Sequence, residues 1–381
     1  MNQNLEALDL NMNIVNKRRP DSAFCFLDKN RMPISTLKNL GNTCFLNSVI
    51  QALFHTSCFR KFILEGNYPM DETTDPLWIE TVLLIKTMCM GNYRMSPNNF
   101  LTRIFFAKQK NDHRQEDAHE WLHFLLDHFH QVLVEKGRKF KDITPILNDP
   151  QNEKKQLIKQ SMAELNRTTD FSVIQKMFML QLHQRTQCID CKTFSHRFPI
   201  EHEIVLTMDN NTQYTNIYHL LKDNFGRKTL KGTEAYHCEK CCKKCNPAPG
   251  ETAAAKCTKT EALQKTTPFR LPKIMVMVMG RFKSHWGGNG MQYTKNSKLI
   301  DFPIQNLDMT PFCSYPDTTS VLYDLYAVCN HQGSTPDSGH YYTTALAGNK
   351  WVTLNDEQFS YVSGKERIIS NEAYITFWKR K

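Results

Sequence analysis

Two groups in this sequence are best placed to do chemistry together: a thiol that opens a helix and an imidazole that opens a strand. In Asn39-Leu40-Gly41-Asn42-Thr43-Cys44-Phe45-Leu46-Asn47-Ser48 a loop runs into a helix with Cys44 at the junction. Gly41 permits the turn, and Asn42 and Thr43 are good capping residues. At that position a thiol meets unpaired backbone N–H groups and the positive end of the helix dipole, and both favour the nucleophilic thiolate. The same N–H groups can bind the oxyanion that forms when a carbonyl is attacked. Read alone, Cys44 is more often a small buried residue closing a helix end.

A nucleophilic thiol needs an imidazole base, and the base needs an acceptor to orient it. The chain holds fourteen histidines, so context must choose among them. His331-Gln332-Gly333, then Ser338-Gly339-His340-Tyr341-Tyr342, then Trp351 to Asp356 supply a candidate base and an amide or carboxylate close to it in the fold. His340 follows a glycine and opens an expected strand. Asn355 and Asp356 end the next one, and neighbouring antiparallel strands can bring either to the ring nitrogen turned away from Cys44.

A third pattern is metal-like. Cys188-x-x-Cys191 and Cys238-x-x-Cys241 are two knuckles able to supply four thiolates to a tetrahedral zinc. Cys242 and Cys245 form a competing pair in the second loop, and metal-free CxxC pairs are the plain alternative.

The elements that must carry these groups fall into two textures. Helical spacing runs from Cys44 to Leu53 and from Asp117 to Val134, and a charged loop-plus-helix region from Phe140 to Asp170 marks a lobe boundary. Beyond it, Phe178–Leu182, Glu203–Leu206, Ile274–Met279, Tyr323–Val328, Tyr341–Leu346 and Tyr374–Trp378 read as strands, with a turn at Gly287-Gly288-Asn289-Gly290. Helices first and a mostly antiparallel sheet second make an α+β fold. Residues 1–34 read as an extension and 35–381 as one catalytic domain.

Composition narrows the class. With 40% hydrophobic and 23% charged residues the chain is globular. Its start lacks the charged-then-apolar pattern of a secretory signal, and its most apolar run, Ile274 to Met279, is too short to span a membrane. Thirteen scattered cysteines read as reduced thiols in cytoplasm or nucleus. A net charge of +10 raises nucleic acid as a partner, but the densest clusters, Lys17-Arg18-Arg19 and Lys379-Arg380-Lys381, read as solvated tails. Neither nucleic acid nor membrane is expected as a partner, and no oligomeric state follows.

Taken in order, three segments resemble the ubiquitin-specific protease family. Leu37 to Leu53 is similar to its cysteine box, Arg114 to Leu122 to its glutamine-aspartate helix, and Tyr323 to Asp356 to its histidine box with the Gly339-His340-Tyr341 core. Leu271 to Phe282 and Phe302-Pro303 resemble its palm strands. Gly280, Leu354 and Trp121 depart from the family pattern at packing positions and remove no catalytic group.

The resemblance implies a papain-like cysteine protease with a helical thumb, an antiparallel β palm and zinc-bearing β fingers. It implies hydrolysis of the isopeptide bond after the C-terminal glycine of ubiquitin, with ubiquitin and ubiquitylated proteins as partners. By position Cys44 is then the nucleophile, His340 the base, Asn355 the third catalytic residue, Asp356 its acidic neighbour and Asn39 a side-chain oxyanion donor. Asp117 and Glu120 would face the basic tail of ubiquitin; their spacing alone also fits a solvated pair on one helix face. Cys188, Cys191, Cys238 and Cys241 would hold one structural zinc. The competing readings are a catalytically inactive ubiquitin-binding adaptor of the same fold and a zinc-dependent nucleic-acid-binding protein. The second of these leaves the cysteine and histidine boxes unexplained.

Overall fold

The computed structural model describes residues 32–91, 94–110, 114–140, 152–208, 214–242, 259–287, 290–314 and 320–381. Most of the expected extension, the Gly288-Asn289 turn and Cys245 lie outside these residues. In chain order run helices α1 (Cys44–His55), α2 (Ser57–Glu65), α3 (Pro76–Met88), α4 (Asn98–Ala107), α5 (Ala118–Val132), α6 (Asn152–Thr168) and α7 (Val173–Phe178). Strands β1 (Leu180–Cys188), β2 (Phe194–Arg197), β3 (Ile200–Glu201) and β4 (Glu203–Thr207) follow, then α8 (Ile217–Asn224), β5 (Arg227–Leu230) and α9 (Glu239–Cys242). The rest is β6 (Ala262–Arg270), β7 (Ile274–Gly280), β8 (Phe282–Gly287), β9 (Gly290–Lys295), β10 (Leu307–Asp308), β11 (Leu322–Thr335), β12 (Ser338–Ala347), β13 (Lys350–Asn355), β14 (Gln358–Tyr361) and β15 (Ala373–Arg380). The α+β expectation holds. No helix among the described residues is long and apolar enough to cross a membrane.

The chain forms two compact units. The first takes Met1–Val132, Arg281–Leu299 and Tyr326–Phe377. Its helix α1 is buried at every position, the polar Asn47, Ser48, Gln51 and His55 included, although its spacing suggested one buried face. Asp75 caps α3, its carboxylate accepting from the N–H of Trp78, with Pro76 in the first turn. The strands of this unit line up in the order β14, β13, β12, β11, β15. Two hydrogen bonds moor α1 to the sheet, because Thr343 Oγ1 (2.8 Å) and Cys329 Sγ (3.4 Å) both donate to the carbonyl of Ser48.

The second unit takes Leu133–Gly280, Ile300–Leu325 and Trp378–Lys381. Its main sheet is antiparallel, ordered β2, β1, β6, β5, with β3 also on β1. Among the described pairings, β4 and β7 depart from the mostly antiparallel expectation and run parallel, Glu203 opposite Val276. Every residue of Ile274–Met279 is buried; a run without polar alternation suits a strand covered on both faces, without fixing its direction. The expected strand at Phe178–Leu182 is also corrected. Phe178 closes α7, whose start is capped by Ser172 Oγ accepting from the N–H of Gln175, and the strand begins at Leu180.

Candidate active site and metal centre

Cys44 is the first residue of α1 and only 2% exposed. Two consecutive left-handed residues, Gly41 (φ +95°) and Asn42 (φ +55°), turn the chain into the helix. Space is not what Gly41 supplies, since a Cβ there meets nothing within 4 Å; the backbone conformation is. The expected side-chain cap is absent, because Thr43 makes no capping bond. Its hydroxyl instead accepts from the N–H of Leu40 (3.0 Å), and its own N–H donates to Asn39 Oδ1 (3.0 Å). The first-turn N–H groups, Cys44 among them, thus lack intrahelical acceptors beside the thiol.

His340 lies near the start of β12, opposite Gln332 of β11. The β12–β13 ladder closes at Thr343 and Leu354, and just beyond it His340 Nε2 meets Asn355 Oδ1 at 2.6 Å. The Cys44 side chain is the largest cause lifting the ring's pKa from 6.5 to about 9. Burial opposes the shift, while Asn355 and the charges of Cys44 and Asp356 add to it. With Nε2 on Asn355, Nδ1 is the nitrogen left for the thiol.

Asp356 lies one residue past the end of β13 with a left-handed backbone (φ +48°), and its side chain takes other partners. It sits in the two-residue turn between β13 and β14, where Asn355 faces Gln358. Its carboxylate accepts from Asn39 Nδ2 at 2.9 Å and from Asn47 Nδ2 at 2.8 Å, and its carbonyl accepts from the N–H of Leu37 at 3.0 Å. Cys44, His340, Asn355, Asp356 and Asn39 therefore form one cluster within the first unit.

His331, the other histidine of this stretch, is fully buried. Lys295 Nζ donates to its Nδ1 (3.0 Å) and to its carbonyl (2.6 Å), which leaves Nε2–H to donate to the carbonyl of Ser338 (3.1 Å). Burial first and Lys295 second depress its pKa to about 4, so the ring is neutral and structural. Lys295→Met strands a buried ring nitrogen and a carbonyl without their donor. The expected cost is about 1–3 kcal/mol, read as a Tm lower by several degrees; an unchanged Tm removes the lysine from this role.

Asp117 and Glu120 are drawn to different partners. Asp117 accepts from Tyr374 Oη on both oxygens (2.9 Å each) and from the N–H of His119 (2.8 Å), and burial raises its pKa. Glu120 meets Lys108 Nζ at 2.7 Å, and that ammonium also lies 4.2 Å from the centre of the Trp121 ring.

In the second unit the sulfurs of Cys188, Cys191, Cys238 and Cys241 all lie within 4.8 Å of one another. Cys188 and Cys241 are 3.8 Å apart, and Cys191 and Cys238 3.5 Å. Four thiolates at the Zn–S distance of about 2.3 Å give tetrahedral edges of about 3.8 Å, so the cluster can hold a metal ion. Hydrogen bonds from Thr193 pull Cys191 down to about 6, while its sulfur neighbours and burial push Cys241 up to about 12. Four sulfurs this close do not ionise together without a cation.

Residues 35–378 match the profile described as ubiquitin carboxyl-terminal hydrolase. The chain belongs to the ubiquitin carboxyl-terminal hydrolase family. It is 29% identical over 363 residues to ubiquitin carboxyl-terminal hydrolase 2 of Bos taurus, covering 92% of this chain and 56% of that protein. It is 28% identical over 352 residues to Usp2 of Drosophila melanogaster, covering 90% and 34%. The chain thus spans about a third to just over half the length of these relatives. Among solved structures it resembles the SAGA Ubp8/Sgf11/Sus1/Sgf73 DUB module bound to ubiquitin aldehyde, with a TM-score of 0.68 and 20% identity over 97% of this chain and 75% of that one. A yeast SAGA DUB module variant gives 0.66 and 21% over 97% and 74%. At these identities the likeness is one of fold.

Within this family member the three departures from the resemblance are packing sites. Trp121 is buried with its indole N–H on Glu116 (2.8 Å), and Leu354 is 2% exposed. A Cβ at Gly280 would stand 2.8 Å from the Leu206 carbonyl. Sequence reasoning missed Asn47, Tyr374 and Lys295. Asn47 carried only a weak signal, as one of several polar residues in a largely apolar helix; Tyr374 and Lys295 had none, since only folding brings them to Asp117 and His331.

Proposed function

We propose that this chain is a cysteine-type deubiquitinase that hydrolyses the isopeptide bond after the C-terminal glycine of ubiquitin. The observation that carries the reading is His340 set between two groups: its Nε2 meets Asn355 Oδ1 at 2.6 Å, and Cys44 is the largest cause of its raised pKa. The Cys44 thiolate attacks the glycine carbonyl carbon. One N–H of the Asn39 amide is spent on Asp356, which leaves the other, with the backbone N–H of Cys44, for the oxyanion; such a donor is typically worth about 3 kcal/mol of barrier. The His340 imidazolium gives its proton to the departing lysine amine, then takes one from water as the water attacks the thioester. Ubiquitin leaves with a free carboxylate and the thiol is restored. Glu120, 63% exposed at its side chain, is available to the basic tail of ubiquitin, with Asp117 braced behind it by Tyr374.

The four-cysteine cluster suits zinc in a structural role. All four positions of a tetrahedral ion are filled by Cys188, Cys191, Cys238 and Cys241, leaving none for substrate or water.

Hydrolysis of a fluorogenic ubiquitin C-terminal amide, run beside other ubiquitin-like modifiers, tests the function. Labelling of Cys44 by a ubiquitin-based electrophile separates an enzyme from an inactive adaptor; failure of both reactions by folded protein leaves only the adaptor.

The pH dependence follows from His340. Its folded pKa lies above the ordinary value of 6.5, at about 9. Protonation therefore favours the fold fully below 6.5, and that contribution disappears as pH climbs through about 9. The rate should fall on the same alkaline limb. Asn355→Ala should lower kcat/KM and move that limb modestly downward, because Cys44 remains the larger cause of the shift. Asp356→Ala should cost rate through Asn39 with less movement. A near-normal Asn355→Ala beside an Asp356→Ala that shifts the limb would reverse the two roles.

A further inference from the structure

Four basic residues stand in a single line across the main sheet of the second unit. Arg185 of β1 faces His196 of β2 on one side and Lys265 of β6 on the other, and Lys265 faces Arg227 of β5. Residues directly opposite in antiparallel strands share a face. The line therefore runs His196, Arg185, Lys265, Arg227 across about 14 Å at the usual strand spacing. Arg185, Lys265 and Arg227 are exposed, and none forms a salt bridge with a carboxylate among the described residues. Like charges placed directly opposite each other destabilise a sheet, so the arrangement works against folding. His183, on the same face, feels it: burial first, then the charges of His196 and Arg185, hold its pKa near 4.

We propose that this face docks an acidic helical segment of a partner protein. Carboxylates three and four apart on a helix lie about 5–6 Å from one another, close to the spacing of the line. The next row along the strands offers Phe194 opposite Gln187, and Leu263 on the far side of Gln187, an apolar border for such a helix. Single-stranded nucleic acid fits less well. The Arg185 guanidinium lies 4.0 Å from the centre of the Phe194 ring, occupying the exposed aromatic surface that a base would stack on. A second copy of this chain, at +10, is repelled. The proposal does not depend on the catalytic reading, since its readout is binding.

The test uses the full chain and a fluorescently labelled peptide of about four helical turns, with glutamates at i, i+4, i+7 and i+11 and leucines beside them. Its control carries glutamine at those positions. Fluorescence anisotropy should show wild type preferring the glutamate peptide, with affinity falling as salt rises from about 50 to about 200 mM. The triple variant Arg185→Gln, Lys265→Gln, Arg227→Gln should bind that peptide at least about tenfold more weakly. Its Tm should be unchanged or higher, because repulsion is removed, and its hydrolysis of the ubiquitin amide unaltered. Equal binding of the two peptides, or equal binding by wild type and variant, overturns the proposal. So does a single-stranded RNA that wild type prefers to the peptide and the variant does not bind, and so does a raised KM for the ubiquitin amide, which would make the face part of the ubiquitin seat.

Discussion

Cys44→Ala is expected to lower kcat/KM for the ubiquitin amide by on the order of 10⁴-fold or more, with ubiquitin affinity largely kept. Loss of the nucleophile removes the route through a thioester, and among the described residues no other thiol is placed beside His340 to replace it. The neighbouring candidate, Cys329, is fully buried and its pKa is pushed up to about 12; its thiol is spent on the carbonyl of Ser48. A second readout comes with the same variant. Cys44 is the first cause of the raised His340 pKa, so in Cys44→Ala the ring should titrate closer to its ordinary value by NMR. Retention of about a tenth of wild-type turnover would show that the chemistry lies elsewhere.

Removal of the metal is the other large effect expected. One zinc bound per chain is the anticipated result of elemental analysis. Zinc held by four thiolates carries on the order of 10–16 kcal/mol of binding free energy in small domains, more than the net stability of most folds. Cys191→Ser, or a strong chelator, should therefore release the ion and unfold at least the end of β1 together with α9. That loss should appear as rapid amide exchange around Cys188 and Glu239. A metal-free chain with wild-type exchange and Tm would eliminate the zinc while leaving the Cys44 reading intact.

Much of the site could be read from spacing because its chemistry is local. Cys44 at a helix start, Gly41 before it, and His340 ahead of Asn355 are each arranged by a few residues of backbone, and the sequence carries those rules. Alternation along a strand was the reason to expect different partners for Asn355 and Asp356, but Asp356 lies past the strand's end and its left-handed backbone separates the two instead. What escaped was non-local. The Asp356 bonds to Asn39 and Asn47 join positions more than 300 residues apart, and the Lys295 bond to His331 joins two different sheets. Thr43 shows a local rule overridden: its hydroxyl suits a cap, but the left-handed pair before it turns that hydroxyl back onto Leu40. Helices α2 to α4 and α8 were not anticipated. The parallel pairing of β4 with β7 was equally hidden, because an apolar run marks burial without marking direction.

The strand β7 has a consequence for how the chain is made. Ile274 to Met279 combines high β-propensity with no charge and no proline, the kind of window that self-associates when exposed. Synthesis proceeds from the N-terminus, so β4, the strand against which β7 pairs in parallel, emerges about 70 residues earlier and is waiting when the window leaves the ribosome. Lys273 and Arg281 bracket it with positive charge until then, and Arg281 afterwards donates to the carbonyls of Ala373 (2.7 Å), Asn296 (2.9 Å) and Lys298 (2.9 Å). The same arginine thus sets a charge beside the window in the nascent chain, where charge opposes self-association, and later ties together segments of the finished one.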